Sequence, residues 1–307
     1  MKSKKRSIDW MERSLPKIEP YLFLLPFFIC FIIFFLWPIL FSFGVSFTDW
    51  RGVRTGNYVG LKNYIEVLGS STFRKALLNT FWYAAVAGGT LMLLGFIIAY
   101  ILNLPIIAFK RFFRTIYFLP VAMPAVIMGG VFAIMYDWHY GVLNYLLGIV
   151  GFDRLNWLGE VGTAKLAVTI AFVWRMLGLV MIYYIAGLQG LDVSVFEAAK
   201  VDGANSWQIV LYITFPLLKP IIMFIGVVVA VEVFQIFQEP YILFSFTAMG
   251  ASGGPQDSAL SLLQYLHRLG FQYQHMGKAS VVAITIFGLI IGVSLLQMKY
   301  FGFFRKD

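Results

Sequence analysis

The sequence predicts an all-α integral membrane protein with six transmembrane helices. Its 307 residues are 60% hydrophobic and only 13% charged, and the mean hydropathy is +0.80. The apolar residues form long runs, and a helix of about 20 apolar residues is enough to cross a bilayer. So few polar side chains cannot cover a water-facing globule of this size, which argues against a soluble enzyme, a secreted domain and a disordered chain.

The first apolar run follows a basic stretch and is too long for a secretory signal, so we expect it to be retained as a helix. Pro105 is expected to end the second span, and Pro120 and Pro124 to kink or break the third. The segment 141–151 is apolar but too short to cross, which favours a helix at the membrane interface or over the outer face. The six spans are predicted at residues 21–47, 76–102, 115–136, 166–191, 221–249 and 279–298.

The distribution of cations predicts that both termini lie in the cytoplasm. Lys and Arg are more numerous in the N-terminal tail (residues 1–20), the 110–114 and 189–219 loops and the C-terminal tail (residues 301–307) than in the opposite loops. The formal charge of +9 would suit nucleic acid, but the cations stand between apolar runs instead of forming a patch. The chain is therefore expected to contact membrane lipid and not nucleic acid.

Residues 189–220, between the fourth and fifth spans, contain signals for a helix, a sharp turn and a second helix. Ser194 and Glu197 have the spacing of a capping box, and Gly203 can take the left-handed conformation that ends a helix. The second helix would run from Trp207 to Phe215 and reach Pro216. On physical grounds alone, a compact connector explains this pattern as well as a docking element does.

The string EAAKVDGA at residues 197–204 resembles the EAA motif of the membrane subunits of binding-protein-dependent ABC importers. In that family the motif forms a coupling helix that docks on the ATP-hydrolysing subunit. The resemblance implies that Glu197 pairs with a basic group there, while Ala198, Ala199 and Gly203 allow close approach. The residues implied in ATPase coupling are Glu197, Ala198, Ala199, Asp202, Gly203, Ala204, Ile213, Phe215 (where the family usually has Leu) and Pro216.

Other stretches resemble the sugar permeases related to the maltose and glycerol-phosphate systems, namely SFTDW at 46–50, YVGLKNY at 58–64 and FQEPYILF at 237–244. The string SFTAMGASGGP that follows is longer than that family's usual form. The resemblance implies a carbohydrate importer that works by alternating access. Its other parts would be a second homologous permease subunit, two ATP-binding subunits and an extracytoplasmic sugar-binding protein.

The chain is not expected to be an enzyme or to bind a cofactor. In residues 270–279, six residues separate Gly270 from Gly277, whereas a phosphate-binding loop has four, and Ala279 replaces the Ser or Thr that would hold Mg²⁺. ATP and Mg²⁺ would therefore be bound by the partner ATPase. The three histidines have no cysteine or carboxylate at metal-ligand spacing, so a metal site is not expected either.

Polar residues inside two spans predict a substrate pathway, because charges at bilayer depth are costly and normally face a cavity or a partner. Glu232, Gln235 and Glu239 are spaced to share one helical face, and Pro240 is expected to bend the helix just beyond them. Amides and carboxylates suit sugar hydroxyls. The predicted pathway residues are Trp174, Arg175, Glu232, Gln235, Gln238 and Glu239.

Three alternatives remain open for these residues. Arg175 and one of the two glutamates could form a structural pair between helices, and Glu239 could be solvated near the outer interface. An ion-gradient-driven secondary transporter that uses Glu232 and Glu239 as proton carriers is the competing function. Such transporters often contain inverted repeats, and the sequence has no evident repeat.

Overall fold

The computed structural model describes residues 21–52, 56–247 and 253–302, and within these ranges the chain is helical apart from its loops and one isolated bridge, Thr48 with Tyr58. The helices are α1 (Tyr21–Val45), α2 (Lys62–Leu68), α3 (Ser71–Asn103), α4 (Lys110–Ala122), α5 (Ala125–Met135), α6 (Val142–Val150), α7 (Val161–Gln189), α8 (Val193–Val201), α9 (Ser206–Leu217), α10 (Lys219–Phe234), α11 (Gln238–Ser245), α12 (Leu262–His267) and α13 (Met276–Tyr300).

The described residues contain the predicted spans, apart from the end of the fifth. Five stretches are long and apolar enough to cross a membrane: α1, α3, α7, α10 with α11, and α13. The third span is the pair α4 and α5, which meet at an angle of 101°. The break lies at Met123 and Pro124, as the two prolines predict, because the pyrrolidine ring of Pro124 disfavours a helical residue before it. The expected all-α fold with six spans is confirmed when this pair is counted as one.

Several helices extend beyond the predicted spans. Helix α3 begins at Ser71 instead of residue 76, because the Ser70 hydroxyl accepts a hydrogen bond from the Phe73 N–H and caps it. Helix α7 begins at Val161 instead of residue 166. Hydropathy marks the apolar part of a helix, whereas capping decides where the helix starts. The predicted end of the fifth span, Met249, and both predicted tails up to residue 20 and from residue 303 lie outside the described residues.

The fourth span, α7, forms the centre of the fold, and small residues let its neighbours approach closely. A Cβ on Gly178 would collide with the Tyr117 carbonyl of α4, and one on Gly95 of α3 would lie 2.6 Å from Val180. Close helix packing of this kind is how membrane helices associate, since lipid gives no hydrophobic drive between them. Of the small residues in α3, Gly88 packs against Val229 of α10, whereas its neighbour Gly89 is exposed.

The strings at residues 46–50 and 58–64 fold together against the start of α13. The buried Asn63 amide donates to the carbonyls of Ser46 and Thr48, each at 2.8 Å. The Ser46 hydroxyl lies 2.8 Å from the Tyr64 hydroxyl. Gly277 of α13 lies directly against the Thr48 carbonyl, where there is no space for a Cβ. This contact gives a packing reason for the residue types in both strings.

We expect Gly277→Ala to lower the melting temperature of the purified protein, because the added methyl meets main-chain atoms that cannot rotate away. Overpacking of this kind costs about 1–3 kcal/mol. The matched control is Gly292→Ala in the same helix, where a Cβ meets open space and alanine favours the helix by up to about 1 kcal/mol. Equal melting temperatures for the two variants would contradict the tight contact with Thr48.

Residues 253–275 connect the fifth and sixth spans and are anchored on α3 by side-chain to main-chain hydrogen bonds. The Asn79 amide donates to the carbonyls of Asp257 and Leu260, each at 3.0 Å. The Tyr83 hydroxyl donates to the Ala259 carbonyl, also at 3.0 Å. These bonds satisfy main-chain carbonyls of the segment and hold it against α3.

Candidate functional site

The loop between α7 and α9 begins with a well-capped short helix, α8. The Asp192 carboxylate accepts a hydrogen bond of 2.9 Å from the Ser194 N–H, and this bond lowers the pKa of Asp192 below its ordinary value. The predicted capping box of Ser194 and Glu197 is therefore wrong. Asp192 starts the helix two residues earlier, since its carboxylate reaches the free N–H groups of the first turn. Glu197 is left exposed on α8.

The turn after α8 is closed by Gly203, whose φ of +80° is the predicted left-handed conformation. The Ala204 N–H donates to the Ala199 carbonyl at 2.9 Å and the Gly203 N–H to the Lys200 carbonyl at 3.1 Å. This pair of bonds is the Schellman arrangement.

Helix α9 then starts with a capping box at Asn205 and Gln208. Asn-x-x-Gln is a sequence signal for this box, but it was not among the predicted features of the loop.

The turn presents a mixed polar and apolar surface, which we call the α8 face: Glu197, Ala198, Val201, Asp202 and Gly203, all exposed. Val201 is 87% exposed and was not singled out from the sequence. Nearby, Trp207 at the start of α9 is 73% exposed. Isolated apolar side chains on a surface are common, but two that flank one tight turn beside a carboxylate suit a docking surface.

Other residues of the motif have internal contacts instead. Ala199 is 8% exposed, so its methyl packs within this chain and is not free to meet a partner. Ala204 and Ile213 are half-buried, and Pro216 is exposed. The centre of the Phe215 ring lies 4.6 Å from the centre of the Phe96 ring in α3. Phe215 therefore helps to fasten the end of the loop to α3.

The fifth span is interrupted between α10 and α11, and this corrects the prediction that Glu232, Gln235 and Glu239 share one helical face. Gln235, Ile236 and Phe237 are not helical, and Phe237 has φ −142° and ψ −47°. We call these three residues the break. Pro240 lacks the N–H that the Ile236 carbonyl would need in a continuous helix. The interruption therefore lies before Pro240 and not beyond it.

A buried ion pair joins the fourth span to the far side of the break. The Arg175 Nε donates to Glu239 Oε1 at 2.5 Å. The Glu239 side chain is 1% exposed and that of Arg175 17%. Of the two glutamates, Glu239 is thus the one that Arg175 pairs with. The alternative of a solvated Glu239 at the interface is wrong.

The pair leaves some hydrogen-bonding capacity unused. Glu239 Oε2 is buried and has no hydrogen-bond partner among the described residues. Trp174, next to Arg175, packs edge-on against Phe132 of α5 with ring centres 5.3 Å apart and remains 37% exposed. Two neighbouring residues of α7 therefore hold the second halves of both broken spans, α5 and α11.

The break exposes two amide side chains. Gln235 and Gln238 are exposed, and Glu232 is half-buried. Gln235 lies 16 residues after Lys219, about 24 Å along a helix at 1.5 Å per residue, which is within a hydrocarbon layer about 30 Å thick. Polar groups at that depth are costly against lipid and are found where they line a cavity or meet protein. The break is therefore our candidate for a polar pathway.

These features define a class of protein: a multi-pass membrane protein with broken, polar-lined spans and an exposed helical loop, which is the architecture of a transport subunit. The sequence matches, over residues 92–301, the family described as binding-protein-dependent transport system inner membrane component. The chain belongs to this family. The match includes α8, the break and the Arg175–Glu239 pair.

Relatives cover almost the whole chain. The arabinooligosaccharides transport system permease protein AraP of Bacillus subtilis is 31% identical over 95% of this chain and 91% of its own length. The lactose transport system permease protein LacF of Rhizobium radiobacter is 33% identical, covering 92% and 93%. The trehalose/maltose transport system permease protein MalF of Thermococcus litoralis is 30% identical, covering 94% of each.

Two solved structures share the fold. One is a bacterial ABC transporter involved in the import of the acidic polysaccharide alginate, with a TM-score of 0.78, 21% identity and coverage of 98% of this chain and 100% of that chain. The other is a bacterial alginate ABC transporter in complex with an alginate pentasaccharide-bound periplasmic protein, with a TM-score of 0.76, 22% identity and coverage of 94% and 95%.

The resemblance to importer permeases is thereby confirmed. These relatives give no support to a secondary transporter.

Proposed function

We propose that this chain is the membrane subunit of an ATP-driven carbohydrate importer, in which it forms half of the translocation pathway and moves by alternating access. The observation that carries the proposal is the exposed α8 face on a chain of the binding-protein-dependent family. An energy-coupled permease needs a surface that a separate ATPase can move, and α8 is short, capped at both ends and exposed.

In this proposal the α8 face docks on the ATPase, which binds ATP and Mg²⁺. The Glu197 carboxylate pairs with a basic group of that subunit, and Val201 fills an apolar pocket beside it. Gly203 has no side chain, and a Cβ there would meet open space in the isolated chain. The partner surface can therefore approach the main chain closely.

The proposed solute is a carbohydrate. This proposal rests on the sugars in the names of the relatives and on the polar side chains at the break. Gln235 and Gln238 offer donors and acceptors for hydroxyl groups. Arg175 uses its Nε on Glu239 and keeps part of its side chain exposed. The exposed part of the Trp174 ring is a surface on which a sugar ring can stack. Glu239 is buried and orients Arg175 instead of touching the solute.

The assembly that we propose contains a second homologous permease subunit, two ATP-binding subunits and an extracytoplasmic sugar-binding protein. The family description and the alginate complex with its periplasmic protein support the last of these. Both termini are placed in the cytoplasm on the basis of the cation distribution. This orientation puts α8 on the side where ATP is available.

The test is to co-express this chain with its neighbouring genes and to purify and reconstitute the complex. We expect ATPase activity to rise when the binding protein is loaded with an arabinooligosaccharide, lactose or maltose, and labelled sugar to enter vesicles only with ATP. Uptake without ATP, driven by a proton gradient and abolished by an uncoupler, would overturn the proposal. It would favour the ion-gradient mechanism through Glu232 and Glu239.

A further inference from the structure

The break in the fifth span leaves the Ile236 carbonyl without the main-chain donor of a continuous helix. In a continuous helix the Ile236 carbonyl would accept from the N–H of residue 240, but that residue is Pro240 and has none. Ile236 is 1% exposed, so water has almost no access to it. A buried carbonyl without a donor is strongly disfavoured.

Ser261 supplies this donor from a distant part of the chain. Its hydroxyl donates to the Ile236 carbonyl at 2.6 Å. The same oxygen accepts the Gln264 N–H at 3.1 Å and thereby caps α12. Ser261 is fully buried, so one hydroxyl joins the break to the segment between the fifth and sixth spans.

That segment is itself held in place. The Leu262 N–H donates to the Thr80 hydroxyl of α3 at 3.0 Å, directly beside Ser261. His267 of α12 contacts the rings of both Phe237 and Tyr241, with centres 5.1 Å apart in each case. The break is therefore fixed by a hydrogen bond and by ring contacts to an element anchored on another span.

We propose that Ser261 is a positioning residue of the solute pathway. Its hydrogen bond to Ile236 holds the break in the shape that exposes Gln235 and Gln238, without contact between Ser261 and the solute. The assignment of these amides to solute rests on the proposed function, whereas the geometric role of Ser261 does not. Without the bond, the carbonyl must find another donor, and the break must change its shape to reach one.

The first measurement follows the exposure of position 238 directly. The chain has a single cysteine, so Cys30→Ser gives a cysteine-free background. In membranes, Gln238→Cys is labelled with a small hydrophilic maleimide, with or without Ser261→Ala. We expect the labelling rate to change by at least about fivefold, the ratio that corresponds to one ordinary hydrogen bond. Asp153→Cys, on an exposed loop, should label at an unchanged rate.

Ser258→Ala is the matched control. Ser258 is also a buried serine of the same segment, but its hydroxyl has no hydrogen-bond partner among the described residues. We expect it to leave the labelling of Gln238→Cys unchanged. Equal labelling rates in the wild-type, Ser261→Ala and Ser258→Ala backgrounds would overturn the proposal.

A second pair of variants keeps the proposal testable if Ser261→Ala accumulates poorly. Pro240→Ala returns an N–H at position 240, which gives the Ile236 carbonyl a main-chain donor once residues 236–240 become helical. We therefore expect adding Ser261→Ala to Pro240→Ala to change the labelling of Gln238→Cys by less than about twofold, well below the effect of losing one hydrogen bond. If the effect of Ser261→Ala is as large with Pro240→Ala as without it, Ser261 does not act through Ile236.

The transport assay separates the two proposals. We expect sugar uptake by Ser261→Ala at saturating loaded binding protein to fall by at least about fivefold, with wild-type uptake by Ser258→Ala. A wild-type complex that transports no sugar contradicts the proposed function and leaves the labelling result standing. Unchanged uptake in Ser261→Ala beside active wild type contradicts the positioning role.

Discussion

Gly203→Asp is expected to abolish ATP-driven uptake while the protein still inserts and assembles its helices. Gly203 has a φ of +80° and space around its Cα. The left-handed conformation costs an aspartate about 1–2 kcal/mol at most, which is too little to unfold a protein with six spans. An added side chain on the α8 face would instead stand between the Gly203 main chain and the docking surface, and its carboxylate would be buried in that contact without a partner. A buried charge without a partner costs about 3–5 kcal/mol, so uptake should fall by more than about tenfold.

The control for this experiment is Gly151→Asp. Gly151 ends α6, has a φ of +89° and is also surrounded by open space. The two substitutions therefore impose the same main-chain strain in different loops. We expect the complex that carries Gly151→Asp to take up sugar at the wild-type rate. Glu197→Lys, which reverses the docking charge, should reproduce the loss seen with Gly203→Asp. Wild-type uptake in both Gly203→Asp and Glu197→Lys would contradict the coupling role of α8.

Removing one member of the Arg175–Glu239 pair is expected to destabilise the protein strongly. Both side chains are largely removed from solvent, and breaking a buried pair costs about 3–5 kcal/mol because the remaining charge has no partner. Arg175→Met and Glu239→Leu should each lower the melting temperature of the purified complex and its yield. Glu232→Gln is the control in the same span, and we expect it to have a small effect because Glu232 is only half-buried.

The double variant Arg175→Met/Glu239→Leu tests whether the pair is needed for more than stability. Replacing a buried pair by apolar residues of similar size is often neutral, so the melting temperature should return close to that of the wild type. Sugar uptake should stay low, because the double variant lacks Arg175, the cation beside the break in the proposed pathway. Recovery of both stability and uptake would show that the pair is only structural.

Much of the loop between α7 and α9 was predictable because its signals are local. A left-handed Gly203 and two short helices follow from residues within a few positions of one another. The error in the helix start at Ser194 is also local, because Asp192 competes for the same free N–H groups and lies closer to the end of α7. Which residues of the motif face outward was not predictable. Ala198 is exposed and Ala199 is buried, and only the packing of α8 against the chain decides this.

The structure around the break was predicted less well because it depends on contacts between distant residues. Helical spacing assumes a continuous helix, and this assumption fails at the break. The sequence does contain a warning, since Pro240 deprives Ile236 of its main-chain donor. Ser261 was not found because nothing in the sequence near it points to a carbonyl 25 positions earlier.

The sequence by itself determined the membrane class, the six spans, the bend of the third span and the helical loop with its left-handed glycine. These properties follow from hydropathy, proline chemistry and capping, which act over one or two helical turns. The tertiary structure alone decided that Arg175 pairs with Glu239 and not with Glu232, and that Ser261 completes the break. Both choices depend on which buried polar groups meet across helices, because inside a bilayer each such group must find its partner within the protein.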